Sequence, residues 1–131
     1  MNEAAGVALV TGGARRIGKA IVEDLAAHGF AVAIHANRST AEADALAGRI
    51  RAKGGRAAVI VADLTDMDAV GDLVGRSEAA LGPVTLLVNN ASLFVDDRVE
   101  DFDWQAWDRH FAIHVKTPAL LAQNFARALP T

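Results

Sequence analysis

Cysteine is absent from these 131 residues, so neither a disulfide nor a cysteine-ligated metal can form. Tyrosine is absent as well, which removes the phenol as a proton donor. Basic residues never run five in a row and the net charge is −3, so electrostatics makes no case for a nucleic-acid partner. No apolar stretch is long enough to span a bilayer. The start, Met1-Asn2-Glu3, is acidic and lacks the basic lead and apolar core of a secretory signal. A cytoplasmic protein that needs no membrane is therefore expected. Linkers, repeats and low-complexity segments are also missing. What remains is a chain that is 52% hydrophobic, enough for one domain with a real core.

Its apolar residues alternate between two periods. Val7–Val10, Phe30–Ile34, Ala57–Val61 and Thr85–Val88 are short continuous apolar runs, the pattern of strands buried on both faces. Between them lie helical stripes: Ile17, Ile21 and Leu25; Ala43, Leu46, Ala47 and Ile50; Val70, Leu73, Val74 and Leu81. His28-Gly29, Gly54-Gly55 and Gly82-Pro83 are stop signals. Ser39-Thr40-Ala41-Glu42 and Thr65-Asp66-Met67-Asp68 read as capping boxes. The segment from Ala91 to Asp103 carries five acids and reads as a loop. A long helical pattern closes the chain, from Trp104, Trp107 and Phe111 to Leu121, Phe125 and Leu129. Alternation of this kind predicts an α/β fold with parallel strands joined by right-handed crossovers. Ligands of such sheets bind beyond the carboxyl ends of the strands. The unusual polar clusters, 11–18, 35–39, 63–64 and 89–94, all fall at such ends.

The first cluster is Thr11-Gly12-Gly13-Ala14-Arg15-Arg16-Ile17-Gly18. With Lys19 it matches most of a P-loop, but Ala20 stands where a magnesium-binding hydroxyl is required. A dinucleotide loop fits better. Gly12 permits a tight turn, Gly18 lets the helix pack closely, and the helix start offers free amides to phosphate. Two cations at a helix N-terminus oppose its dipole unless an anion faces them.

Thr11-Gly12-x-x-x-Arg16-Ile17-Gly18, Asp63-Leu64 and Asn89-Asn90-Ala91 resemble the cofactor-side motifs of short-chain dehydrogenases/reductases. Arg16 replaces the usual middle glycine, and Ala14-Arg15-Arg16-Ile17-Gly18 resembles the pteridine reductase branch. The resemblance implies a single dinucleotide-binding Rossmann domain over 1–131, a parallel sheet of strand order 3-2-1-4 flanked by helices. It also implies that Gly12, Arg15, Arg16, Ile17 and Gly18 face the cofactor phosphates, with Arg16 close to substrate as well. After the second strand, His35-Ala36-Asn37-Arg38-Ser39 resembles the His-x-x-Arg-Ser of pteridine reductases. No acid stands there to hold a ribose diol, whereas Arg38 and Ser39 suit a 2′-phosphate. NADPH is expected over NADH, with His35 and Asn37 on the cofactor side. By the same resemblance Asp63 accepts from the adenine amino group and Leu64 packs beside it. Asn90, Ala91 and Ser92 are cofactor-side positions by the same resemblance, Ser92 bonding to the bound rings. Ser92 and Phe94 are expected to meet a small flat substrate, Phe94 by stacking.

His110 and His114 lie four apart on one helical face, but no third metal ligand accompanies them, and no metal site is expected. His114 occupies the position where the family commonly has an asparagine. As a residue by itself it reads most simply as a core histidine, and His28 as helix-end packing. Pro118 removes the partner of the His114 carbonyl, so a kink is expected there. The serine and Tyr-x-x-x-Lys pair of the family have no counterpart. The only lysines are Lys19, Lys53 and Lys116, and the resemblance covers about the first half of a typical member. The 131 residues alone are thus expected not to catalyse reduction. Full-length relatives imply a homo-oligomer, and the fourth strand is expected to leave an open sheet edge. The alternative is a non-catalytic module that binds nucleotide or dimerises through its last helix.

Overall fold

A computed structural model describes residues 5–130. The acidic start Met1-Asn2-Glu3 and Thr131 lie outside these residues. Four strands, β1 (Gly6–Val10), β2 (Phe30–Ala36), β3 (Ala57–Val61) and β4 (Val84–Val88), form one sheet in the order β3-β2-β1-β4. All three pairings are parallel. The sequence-derived α/β class and strand order are both met.

The strands are apolar on both faces because both faces are covered. Leu9, Ala31 and Ala33 point to one side and join Ile60, Leu73 and Leu121. Their neighbours Val10, Val32 and Ile34 point to the other and join Val22, Leu46 and Ile50. Period-two alternation along each strand thus feeds two separate cores. The second core is roofed by α1 (Arg16–Ala27) and α2 (Thr40–Ala52). The first is roofed by α3 (Met67–Leu81) and α5 (Thr117–Ala128). Small alanines in β1 and β2 allow these helices to lie close to the sheet. At β4 the outer edge has no strand beside it among the described residues.

Two helix starts differ from the expected capping boxes. Ser39 precedes α2, but its side chain makes no cap bond. The cap of α3 is Asp66, whose carboxylate accepts from the amides of Asp68 and Ala69. Thr65 is diverted: its amide and hydroxyl both donate to Asp63 Oδ1, at 2.9 and 2.7 Å. A carboxylate accepts more strongly than a hydroxyl, so Asp66 wins the helix start. His28 does not pack inward. Its ring is exposed at the end of α1, with Nδ1 2.8 Å from the Asp24 carbonyl.

The closing helical pattern is split. The segment α4 (Trp104–Phe111) runs into a π-helical turn over Ala112–Lys116, and α5 follows. The Thr117 amide donates to the Ala112 carbonyl, five residues back. Pro118 sits in the first turn of α5, where a missing amide hydrogen costs nothing in that helix. The irregularity expected at Pro118 therefore takes the form of a widened turn just before it. Its consequence for packing is local: Thr117 is buried, and its hydroxyl donates to the Leu64 carbonyl at 2.7 Å. That bond ties α5 to the carboxyl end of β3.

Candidate functional site

The carboxyl ends of all four strands open into one cleft of about 750 Å³. Every position expected from sequence on the cofactor side lines it. Gly12, Arg15, Arg16, Ile17 and Gly18 come from the loop after β1. His35 comes from the end of β2, and Asn37, Arg38 and Ser39 follow it. Asp63 and Leu64 come from beyond β3, and Asn90, Ala91 and Ser92 from beyond β4. Arg109, Leu93 and Ile113 line the cleft as well and were not anticipated. Phe94 is not brought in: it stands 82% exposed and does not line the cleft.

Close approach fixes the floor of this cleft. Gly12 has φ +62, the left-handed region, and a Cβ there would lie 3.0 Å from Ala91 Cα. A Cβ on Gly18 would overlap the Gly12 carbonyl oxygen and crowd Asn90 Nδ2. The start of α1 is thereby pressed against the loop that precedes it. Asn90 locks the arrangement, with Nδ2 donating to the carbonyls of Thr11 and Gly12, each at 3.1 Å. Buried Thr11 offers Oγ1 to the amides of Asn90 and Ala91, both at 3.0 Å. Asn90 was expected to face the cofactor, and its amide nitrogen is spent on this internal clamp.

His35 is likewise internal. It is 3% exposed, and both ring nitrogens have protein partners. The Gly12 amide donates to Nδ1 at 2.9 Å, and Nε2 donates to the Ala62 carbonyl at 2.9 Å. Accepting at Nδ1 requires a neutral imidazole protonated on Nε2. Burial lowers its pKa below the ordinary histidine value. The bond to Ala62 opposes that shift, and the charge of Arg76 adds to it. So His35 borders the cleft while bracing the glycine loop against β2 and β3.

Arg16 is the sole non-glycine among the described residues with positive φ, at 53°. This is the position where the family pattern has a glycine. A left-handed arginine costs roughly 1–2 kcal/mol, so the backbone here keeps a glycine's shape while carrying a guanidinium. Arg15 adopts the extended conformation of a helix N-cap but makes no side-chain cap bond.

The arginines of the molecule divide into two groups. Those away from the cleft are mostly partnered: Arg51, Arg56 and Arg76 donate to carbonyls, and Arg49 and Arg98 pair with acids. Arg15, Arg16, Arg38 and Arg109 line the cleft, and among the described residues no acid or carbonyl pairs with their guanidiniums. Asp63 is the acid that shares this space. Its carboxyl is held below the ordinary value, chiefly by the Thr65 amide and then the Thr65 hydroxyl, with smaller help from Arg109 and Arg38. Burial opposes the shift slightly. Since Thr65 occupies Oδ1, Oδ2 remains available as an acceptor.

The last wall is the segment after β4. His114 Nε2 accepts from the Leu93 amide at 3.2 Å and lies 3.2 Å from Ser92 Oγ. His110 Nε2 accepts from the Val95 amide at 3.2 Å. The two rings meet edge to face, with centroids 5.6 Å apart. Neither is a core residue: His114 is exposed and His110 half-buried. They serve as a pair of acceptors that tether residues 92–95. No cluster of three metal-ligating side chains occurs among the described residues. No helix among them is long and apolar enough to cross a membrane.

Known proteins share this fold. The FolM alternative dihydrofolate reductase 1 from Brucella canis, crystallised with NADP, is 57% identical with a TM-score of 0.92. The match covers 96% of this chain and 50% of that one. A short chain dehydrogenase from Burkholderia cenocepacia, also crystallised with NADP, is 40% identical with a TM-score of 0.90, over 93% of this chain and 50% of its own. The short-chain dehydrogenase/reductase FrzI of Cladobotryum sp is 34% identical, over 88% of this chain and 45% of its own length. The chain thus spans about half the length of the relatives it matches. The family profile of short chain dehydrogenases matches residues 6–131, and the chain belongs to that family.

Proposed function

We propose that these residues form the NADPH-binding part of a short-chain reductase of the pteridine reductase-like branch, acting on a pterin-type C=N or a carbonyl. The observation that carries this reading is the set of unpartnered guanidiniums in a cleft floored by a helix start. Cations gathered around one cleft, two of them at a helix start, make a positive site, so the cleft suits a polyanionic ligand. The glycine cradle suits a pyrophosphate, because any Cβ on Gly18 would fill the space where loop and helix meet. Arg38 and Ser39, with no acid in the stretch His35-Ala36-Asn37 before them, suit a 2′-phosphate. Asp63 Oδ2 suits an adenine amino group.

When bound, NADPH supplies the hydride for reduction. The chain's own residues bind and orient. Arg16 projects from a glycine-shaped turn toward the cleft, where it can reach both phosphate and substrate. Ser92, tethered by His114, supplies a hydroxyl for the substrate ring. The pterin assignment is supported by the likeness to the Brucella FolM protein. The family's tyrosine has no counterpart in a sequence without tyrosine, so that proton donor is not among these residues.

Titration of the 131-residue chain with NADPH and NADH, followed by nicotinamide fluorescence, tests this reading. NADPH is expected to bind at least about tenfold tighter, since one charge-assisted phosphate contact is worth that much. No turnover of a dihydropterin is expected from this chain alone. Equal or stronger binding of NADH would overturn the assignment. Binding without turnover, accompanied by self-association, would favour a nucleotide-binding or dimerising module, for which the exposed Trp104, Trp107 and Phe111 speak.

A further inference from the structure

Arg109 is the cleft arginine that neither the glycine loop nor the family motifs assign. It rises from α4 and lines the cleft together with Ile113, one turn further along the same helical face. Arg38 lines the cleft from beyond β2, on a different element. Neither guanidinium has a protein partner among the described residues. Both line the cleft with Asp63, near enough for their charges to favour its carboxylate. Arg15 and Arg16 come from the start of α1. Arg38 and Arg109 thus share the end of the cleft where Asp63 stands.

Charge around that end does not balance. Two guanidiniums share it with one carboxylate, and one oxygen of that carboxylate is occupied by Thr65. A phosphate monoester, with close to two negative charges at neutral pH, supplies what is missing. Guanidiniums are suited to it because each offers a planar fork of donors to phosphate oxygens. We propose that Arg109 is a second 2′-phosphate ligand, closing on the phosphate from α4 while Arg38 holds it from the β2 side. Arg109 thereby becomes a determinant of NADPH over NADH. This rests on reading the cleft as an NADPH site. A guanidinium stacked on adenine is the rival, and it would serve both dinucleotides alike.

The test compares the wild-type 131-residue chain with Arg109→Gln and Arg109→Lys. Each is titrated with NADPH and NADH, and 2′,5′-ADP and 5′-AMP are used as competitors. Arg109→Gln is expected to weaken NADPH and 2′,5′-ADP about tenfold while NADH and 5′-AMP stay within about twofold. Arg109→Lys, which keeps the charge and loses the fork, is expected to fall between. Unchanged NADPH affinity in Arg109→Gln would overturn the proposal and leave the NADPH site standing. Equal losses for both dinucleotides would also overturn it, in favour of stacking. A wild-type chain that binds no dinucleotide would sink the site itself, and the proposal with it. Arg109 is exposed on α4, so both variants are expected to unfold at the wild-type midpoint, read by circular dichroism.

Discussion

The two walls of the cleft are held by different means. On the glycine-loop side, Thr11 and His35 are buried, Asn90 is half-buried, and their bonds converge on Gly12 and its neighbours. On the side after β4, residues 92–95 are tethered from outside by two histidines, each accepting one backbone amide at 3.2 Å. Buried bonds are costly to leave unmade, because the stranded group has no water to turn to. Exposed bonds can be exchanged for water at little cost. The first wall is therefore preorganised for a constant ligand part, such as a diphosphate. The second can adjust to a ligand whose shape varies.

Breaking the first wall should have the largest effects. Gly18→Ala places a methyl group against backbone that cannot move aside, and it is expected to cost about 3 kcal/mol in urea unfolding. A loss below about 1 kcal/mol would show that α1 can slide away from the loop. His35→Phe strands the Gly12 amide and the Ala62 carbonyl and should cost about 2–3 kcal/mol. His35 also makes a prediction about acid. Its folded pKa is depressed, so the unfolded chain takes up a proton first. Stability is whole above the ordinary histidine pKa of about 6.5 and falls as pH drops from there toward the lower folded value. Unfolding curves of the phenylalanine variant should lack that share of the acid slope. An unchanged slope would mean that other groups carry it.

The smallest effect is expected at the second wall. Replacing both His110 and His114 by alanine should cost under about 1 kcal/mol, since the Leu93 bond is exposed and the Val95 bond only part-buried, within reach of water. The same change should speed hydrogen exchange at the Leu93 and Val95 amides and leave the Gly12 amide protected. If the double variant loses as much stability as His35→Phe, the contrast between the walls is wrong.

Much of this was legible in the residues. The four strands were readable as short apolar runs because both sheet faces are covered, and the strand order followed from the family pattern. Cleft positions at the strand ends were readable for the same reason: a parallel sheet gathers those ends. Side-chain roles were less so. His35 and Asn90 were placed at the cofactor, yet both ring nitrogens of His35 and Nδ2 of Asn90 turn inward, because a sequence does not say which neighbour reaches a donor first. Thr65 looked like a helix cap, and its hydroxyl was claimed by Asp63 two residues earlier. Ser39 looked like one too, and its side chain stays free at the cleft. Arg109 went unnoticed because nothing in the pattern of α4 marks which face meets the cleft.

The widened turn at 112–116 holds one residue more than an α-helical turn, since the Thr117 amide reaches back five residues rather than four. Excising a single residue there should close the turn to ordinary α-helical bonding and leave α5 in register with α4. The same excision between Thr117 and Leu121 would turn Leu121 by about 100° and take it out of the core. The turn is thus the place in this helical run where a change of length is absorbed rather than passed on.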